Sequence, residues 1–376
     1  MRTGVVLAVV LASAILLAGC KDSPGQDPVT PTPSTTGQTS APYHVDGQAV
    51  YDWVAGVVTK PDGSPHARVP GTADHAQAAR WLAQQMEVPG WTVAWQNFTG
   101  QDYMGLDKGG VSVYADNAAF CRAADRARLP GLQFSNLVAT RSGASGADPD
   151  ENATGRTLIL GAHWESKRNA SEESDPALRS RPVLGANDGA SGVGVLLQLM
   201  HELAGKDLGY GVQVVLFDGE DGFEDCHPLA GSLWFVHRLQ EQDSVAGASP
   251  EGQGPHRRML LLDMVGDPDA RFIRESHSVR CDPALVDLLH ARAASHGLGD
   301  NFPGTRTGVQ DDHLPFIEAG IPAVDLIDYG RGFPPYWHTT HDTMENLTPG
   351  MLGNVASLVL DVIGEPGFGD AWPSSC

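Results

Sequence analysis

The chain has 376 residues, is 41% hydrophobic and carries a formal net charge of −21 at pH 7. That charge argues against nucleic acid or an anionic bilayer as a direct partner of the folded part, and the length is ample for a large core. Five cysteines with no CxxC pair argue against a thiolate zinc site.

Arg2, the apolar run from Val5 to Leu17 and the stretch Leu17-Ala18-Gly19-Cys20 have the charged start, short apolar region and small-residue cleavage site of a secretory signal. The run is too short for an ordinary spanning helix. Residues 1–20 resemble the bacterial lipoprotein signal, which implies a lipid-modified Cys20 and an exported protein anchored to a membrane, periplasmic or at the cell surface. Simple secretion is the alternative. Residues 21–45 are rich in Pro, Ser and Thr and read as a disordered tether. One domain is expected over 46–366, with a C-terminal tail over 367–376.

An amphipathic stretch runs from Tyr51 to about Val69, and Thr72 is placed to cap a helix over 73–86. His66 and His75 read as surface or capping residues. Trp91 to Phe98 reads as a strand. Residues 99–132 show little periodicity and read as a long excursion, with Cys121 a candidate for a bridge. Cys121, Cys226, Cys281 and Cys376 permit three pairings that sequence alone does not separate. Further strands are expected at 137–139, 157–162, 212–217, 259–265 and 322–327, and helices at 192–204, 232–239, 283–296 and 350–362. That alternation predicts an α/β fold: a three-layer, open, mostly parallel but mixed sheet with helices on both faces.

The chemistry centres on Phe217-Asp218-Gly219-Glu220-Asp221-Gly222, directly after the run Val212 to Leu216. Three carboxylates in four residues at the end of a buried strand repel one another unless a cation or a proton is shared among them. Other strands end in polar groups too: His163, Trp164 and Glu165 after one, Asp263 within RMLLLDMV. Two loops add Asp188, in LGANDGASG, and His338, in YWHTT. A His, an Asp and a further acid with an open fourth position is the donor set of a catalytic zinc site. Asp188 also has the look of a helix cap. His313 reads as structural, His341 as a loop residue, and Trp164 and Trp234 as core or pocket wall.

Six ordered motifs, GAHWES, PVLGANDGASGVGVLLQL, FDGED, LLLDMVGD, VQDDHLPF and YWHTTHDTMENL, resemble the M28 metallopeptidase superfamily across roughly residues 50–365. Within it they are most similar to the bacterial glutaminyl-peptide cyclotransferases, or glutaminyl cyclases. The resemblance implies a zinc-exopeptidase-like fold and a single Zn2+ held by Asp188, Asp221 and His338. It makes Glu220 the general acid/base, places Asp263 and Asp311 in a hydrogen-bonded network with it, and puts Trp337 at the substrate pocket, where Trp164 is also expected. The implied reaction closes the N-terminal Gln of a peptide or protein to pyroglutamate with release of ammonia. Many relatives have Glu where Asp221 stands, a departure that shortens one ligand arm.

Two other functions fit the same residues. An M28 aminopeptidase would bind a second zinc through His163 and Asp263, with Asp188 bridging and Glu220 activating water. A lipid-tethered binding protein would keep the fold without turnover, a reading the intact Glu220 opposes. The length and ending of the segment from Arg168 to Pro182, the context of LLLDMVGD and the doubled acid of QDDH favour the cyclase.

Overall fold

The structure, a computed structural model, describes residues 43–106, 128–143, 155–221, 229–246, 256–370 and 372–376. The signal, most of the tether, Cys121 and Cys226 lie outside the described residues.

Six strands form the main sheet: β1 (Thr92–Thr99), β2 (Gln133–Arg141), β3 (Arg156–His163), β4 (Gly211–Phe217), β5 (His256–Asp263) and β8 (Ala323–Ile327), in the order β1-β2-β4-β3-β5-β8. The pairs β4/β3, β3/β5 and β5/β8 are parallel, whereas β1/β2 and β2/β4 are antiparallel. The sheet is therefore mixed, with its parallel part buried on both faces. A two-stranded ladder of β6 (Arg274–Glu275) and β7 (Arg306–Thr307) stands apart from it.

Side-chain alternation sorts the strands between two cores. Leu158, Leu160, Ala162, Val212, Val214, Leu216, Leu260 and Leu262 pack on one face against α1 (Gly47–Val58), α2 (Ala73–Gln85), α4 (Ala190–Leu203), α7 (Pro283–Arg292) and α9 (Pro349–Ile363). Ile159, Val215, Phe217, Met259 and Leu261 pack on the other against Phe235 and Val236 of α5 (Ala230–Ala246) and Phe316 of α8 (Leu314–Glu318). Asp46, Thr72 and Thr348 cap α1, α2 and α9 by accepting backbone N–H bonds. Two short helices lie where periodicity predicts none: α3 (Gly100–Gly105), with a Thr99/Asp102 capping box, and α6 (Ser276–Cys281), capped by Glu275. Both are too short to show a helical hydrophobic period.

Asp188 is not the cap of α4. Gly189 holds that position at φ +74°, and an added Cβ there would meet the His163 carbonyl at 2.4 Å. β5 ends at Asp263 rather than at Val265, because Met264 turns to φ +49° and the Val265 N–H leaves the ladder to donate to Ser191 Oγ. Cys281 pairs with Cys376, so residues past α9 are fastened to the domain, and Phe368 packs there against Tyr210. No helix among the described residues is long and apolar enough to cross a membrane.

Candidate metal and active site

Parallel strands place their C-terminal ends on one edge, where open α/β sheets hold their ligands. Here that edge gathers His163 from β3, Asp218, Glu220 and Asp221 from the turn after β4, and Asp263 from β5. Asp188 arrives from the loop before α4, Asp311 from the turn before α8, and His338 from the loop after β8. Asp188, Glu220, Asp221, Asp263, Asp311, Trp337 and His338 all line one cavity of about 250 Å³. The rest of its wall is largely apolar, from Leu229, Val309, Ile327, Tyr329 and Phe333.

The donor atoms converge. His338 Nε2 lies 2.7 Å from Asp221 Oδ1 and 3.4 Å from Asp188 Oδ2. His163 Nε2 lies 3.0 Å from Asp188 Oδ1 and 3.3 Å from Asp263 Oδ1. Ligand atoms of His163, Asp188 and Asp221 fall within 4.8 Å of one another, all three residues being buried. Asp188 Oδ2 makes no hydrogen bond of ordinary geometry. A buried acid oxygen left so is costly in a folded protein, and a cation among these donors would satisfy it. The set of hard oxygen and imidazole ligands fits zinc.

Residues behind these donor groups hold them in place. The Asp221 N–H donates to Glu165 Oε1 at 2.8 Å, and Lys167 Nζ donates to the Asp221 carbonyl at 3.1 Å. Asp342 accepts from the N–H groups of Asn187 and Asp188, at 2.8 and 3.1 Å. Arg68, wholly buried, donates to the carbonyls of Trp164, Leu184 and Gly185 and so ties the end of β3 to the Asp188 loop. His338 sits in the left-handed region at φ +54°, a strained position for a side chain, with its carbonyl accepting from the Glu172 N–H. Trp337 stacks on the His338 ring with centroids 3.5 Å apart, and Phe333 stacks on Trp337 at 3.7 Å.

Electrostatics divide the acids. Burial pushes Asp221 up, but the charges of His338 and Lys167 more than offset it and hold the group well below the usual carboxylate range. Burial and Asp221 raise Asp188, while the hydrogen bond from His163 and the nearby His338 bring it below its ordinary value. Burial lowers His163, yet its bonds to Asp188, Asp263 and Glu165 raise it well above the usual imidazole range. Glu220 goes the other way: burial, reinforced by the charges of Asp221, Asp311 and Asp312 against the pull of His163, raises it well above an ordinary Glu. Asp311 is raised likewise by burial, Asp263 and Asp312, and burial pushes Asp312 up to about 7. Such a group keeps its proton close to neutrality.

Three sequence-based expectations need correction. Trp164 does not line the cavity; it is fully buried, with its ring stacked on His75 and its Nε1 donating to the Ser135 carbonyl. His75 is no surface or capping residue, because its side chain is buried and its Nε2 lies 2.9 Å from Asp218 Oδ1. His66 is buried too, its Nε2 bonding the Asp74 carbonyl. Each sits on a helix or loop whose apolar spacing is too short to reveal which way a polar ring turns. His313 is wholly buried between Glu275 and Asp325, whereas the His341 side chain is 73% exposed. Glu165 was anticipated among the polar groups at the strand ends, but Arg68, Lys167 and Asp342 were not anticipated as partners of the site. Of these three only Asp342 carried a signal, as an acid next to the motif residue His341.

A model of peptidase family M28 matches residues 136–363, more than half the chain. Over 325 residues the chain is 26% identical to a glutaminyl-peptide cyclotransferase-like protein of Bos taurus, covering 79% of this chain and 72% of that one. Among solved structures it is similar to a Bacteroides thetaiotaomicron glutaminyl cyclase bound to N-acetylhistamine, at 27% identity over 86% of this chain and 99% of the other, with a TM-score of 0.66. It is also similar to a leucine aminopeptidase precursor of Bacteroides thetaiotaomicron, at 28% identity over 87% and 99% of the two chains and a TM-score of 0.65. With a family match of this extent falling on the strands and loops that build the site, the chain belongs to peptidase family M28.

Proposed function

We propose that the protein is a zinc-dependent glutaminyl-peptide cyclotransferase acting on peptides and proteins that begin with Gln. The observation that carries the reading is a raised-pKa acid, Glu220, set in one cavity between a His/Asp donor cluster and a second acid, Asp311, under an aromatic wall. The likeness of nearly the whole domain to proteins named as glutaminyl cyclases supports it.

Asp188, Asp221 and His338 would hold one zinc ion. Bound there, zinc would supply Lewis-acid polarisation of the substrate γ-carboxamide. Glu220 takes a proton from the substrate α-amine as its nitrogen bonds to the side-chain carbonyl carbon. It then returns that proton to the leaving nitrogen as the carbon–nitrogen bond breaks and ammonia departs. No water is consumed. Trp337, Phe333 and Tyr329 pack the chain so that amine and amide meet within one molecule, and such positioning is worth roughly 7–11 kcal/mol of barrier. Burial and the neighbouring acids Asp221, Asp311 and Asp312 raise the Glu220 pKa, so that it both accepts and returns a proton near neutral pH.

One observation favours a second reading. His163 Nε2 bonds Asp188 and lies 3.3 Å from Asp263, so a five-donor set for two ions is complete, as an aminopeptidase would need. Mass spectrometry of a Gln-initiated peptide separates the two. Loss of one ammonia, abolished by chelation and by Glu220→Gln, is expected. Release of the whole first residue, from Leu- and Ala-initiated peptides as well, would replace the cyclase with the aminopeptidase.

Export and lipid anchoring through Cys20 belong to the same proposal. The signal-like start and tether support them, and the Cys281–Cys376 bridge fits an oxidising compartment. Cys20→Ala is expected to release the protein from membranes into the soluble fraction; retention of the variant on membranes would overturn the anchor.

A further inference from the structure

The turn that carries Glu220 is gripped at its start by a buried pair that the reaction itself does not use. Asp218, wholly buried, accepts from His75 Nε2 at 2.9 Å through Oδ1 and from the Ser135 N–H at 2.6 Å through Oδ2. Its own N–H donates to Asn136 Oδ1 at 3.1 Å, and the Asn136 amide donates onward to the Gly231 carbonyl at 2.8 Å. Trp164 covers the imidazole, stacked at 4.4 Å, and is itself pinned by Nε1 to the Ser135 carbonyl and by its N–H to the Phe217 carbonyl. Helix α2, the end of β3 and strand β2 thus converge on one carboxylate.

The placement of this clamp along the chain gives it a purpose. Two residues on stands Glu220, and the next residue, Asp221, has independent anchors in Glu165 and Lys167. Glu220 is therefore held between two fixed points, with Gly219 at φ +77° between it and Asp218 and the Gly219 carbonyl accepting from the Ala230 N–H at 3.0 Å. Loosening the Asp221 side would disturb the metal ligand. Loosening the Asp218 side would leave the ligand held and free only the segment bearing the acid/base.

We propose that His75 is a positioning residue, which through its bond to Asp218 fixes the direction in which Glu220 enters the cavity. The proposal rests on Glu220 as acid/base, a role common to the cyclase and aminopeptidase readings. It goes beyond both by assigning to α2, a helix outside the cavity, a part in turnover. A mere packing role for His75 would need only its ring volume; a positioning role needs the Nε2–H donor at that spot.

The test uses the full folded protein with zinc bound and compares His75→Gln, whose amide nitrogen reaches about as far as Nε2, with His75→Leu, which keeps bulk and removes the donor. His75→Leu is expected to lower kcat about thirtyfold to a hundredfold, a loss typical of misplacing an acid/base by about an ångström. KM and the zinc content by atomic absorption should stay within about twofold in the same variant. His75→Gln is expected to keep kcat within about fivefold. If His75→Leu does not fold, His75→Asn, polar but too short to reach Asp218, takes its place. Equal kcat in the Gln and Leu variants would overturn the proposal, as would loss of zinc alongside kcat, or failure of both the Leu and Asn variants to fold. Should the wild type release whole residues instead of ammonia, the same split is read on that reaction. Failure of the cyclase reading is thereby kept apart from failure of this one.

Discussion

Two groups of buried acids share the edge of this sheet and behave in opposite ways. Asp188 and Asp221 lie among His163, His338 and Lys167, and their protons are driven off. Glu220, Asp311, Asp312 and Asp325 lie a short step away, where the neighbours are mostly other acids, and their pKa values are raised. All of these side chains are buried except Glu220, which is partly exposed toward the cavity. What differs is the sign of the charge facing them: a cation-rich pocket leaves carboxylates ionised, as metal ligation requires, and an acid-rich one leaves them protonated, as proton transfer requires. Glu275 shows a third solution. Burial would raise it, but His313 and the N–H groups of His277 and Ser278 hold it at about 2, away from the cavity.

Breaking the proton-carrying group at its centre should have the largest effect. Glu220→Gln is expected to lower kcat by roughly 10²–10⁴ while zinc content stays at wild-type level. A variant that kept its turnover would show that the acid-rich group carries no proton in the reaction.

Glu275→Gln tests the acid that needs neither metal nor substrate. Its folded pKa lies below the unfolded value of 4.5, so its contribution to stability is present above about 4.5 and lost as pH falls through about 2. Replacement should therefore cost on the order of 3 kcal/mol near pH 7 and much less near pH 2, read by denaturant unfolding. An equal cost at both pH values would mean that packing, not charge, makes Glu275 matter.

The ligand group is probed from behind by Glu165→Ala, which removes the acceptor for the Asp221 N–H. Zinc affinity should fall about tenfold to a hundredfold in competition with a chromophoric chelator. Unchanged affinity would show that Lys167 and the loop hold Asp221 unaided.

The smallest effect should come from Asp311→Asn. Glu220 must lose its proton to act as a base, so kcat/KM falls as pH drops through its pKa. Removing one neighbouring acid that competes with Glu220 for ionisation lowers that pKa and moves the acid limb toward lower pH, by about half a unit to one unit. A limb that moved upward, or not at all, would separate Asp311 from Glu220.

Much of this was legible in the sequence because the parallel strands are short apolar runs, each ending in a polar residue that has nowhere to go but the sheet edge. Val212 to Phe217 could be bounded almost to the residue, and with it the positions of Glu220 and Asp221, whereas the strand expected over 259–265 runs from His256 to Asp263, three residues earlier at its start and two at its end. Asp188 and His338 were harder, being loop residues, and were found through the motifs around them. What stayed hidden were partnerships across distant segments. His75 meets Asp218 across 143 residues, and Arg68 meets the Asp188 loop across more than 100. Neither has a local pattern, because a buried polar side chain is chosen by what faces it in three dimensions. Trp164 was misplaced for the same reason: a Trp beside a motif His fits a cavity wall and a core equally well until its stacking partner is known.

The bridge between Cys281 and Cys376 has a consequence for how the protein meets small thiols. It closes a loop of 95 residues, which in the chain-entropy picture is worth about 4–5 kcal/mol, much of a typical domain's margin. A dithiol such as dithiothreitol also offers soft sulfur ligands that draw zinc away from oxygen and imidazole donors. One reagent would thus attack two places far apart in the fold, the fastening beyond α9 and the site at the sheet edge. Inactivation by dithiols and inactivation by a sulfur-free chelator would be different events, and only the second would be undone by returning the metal alone.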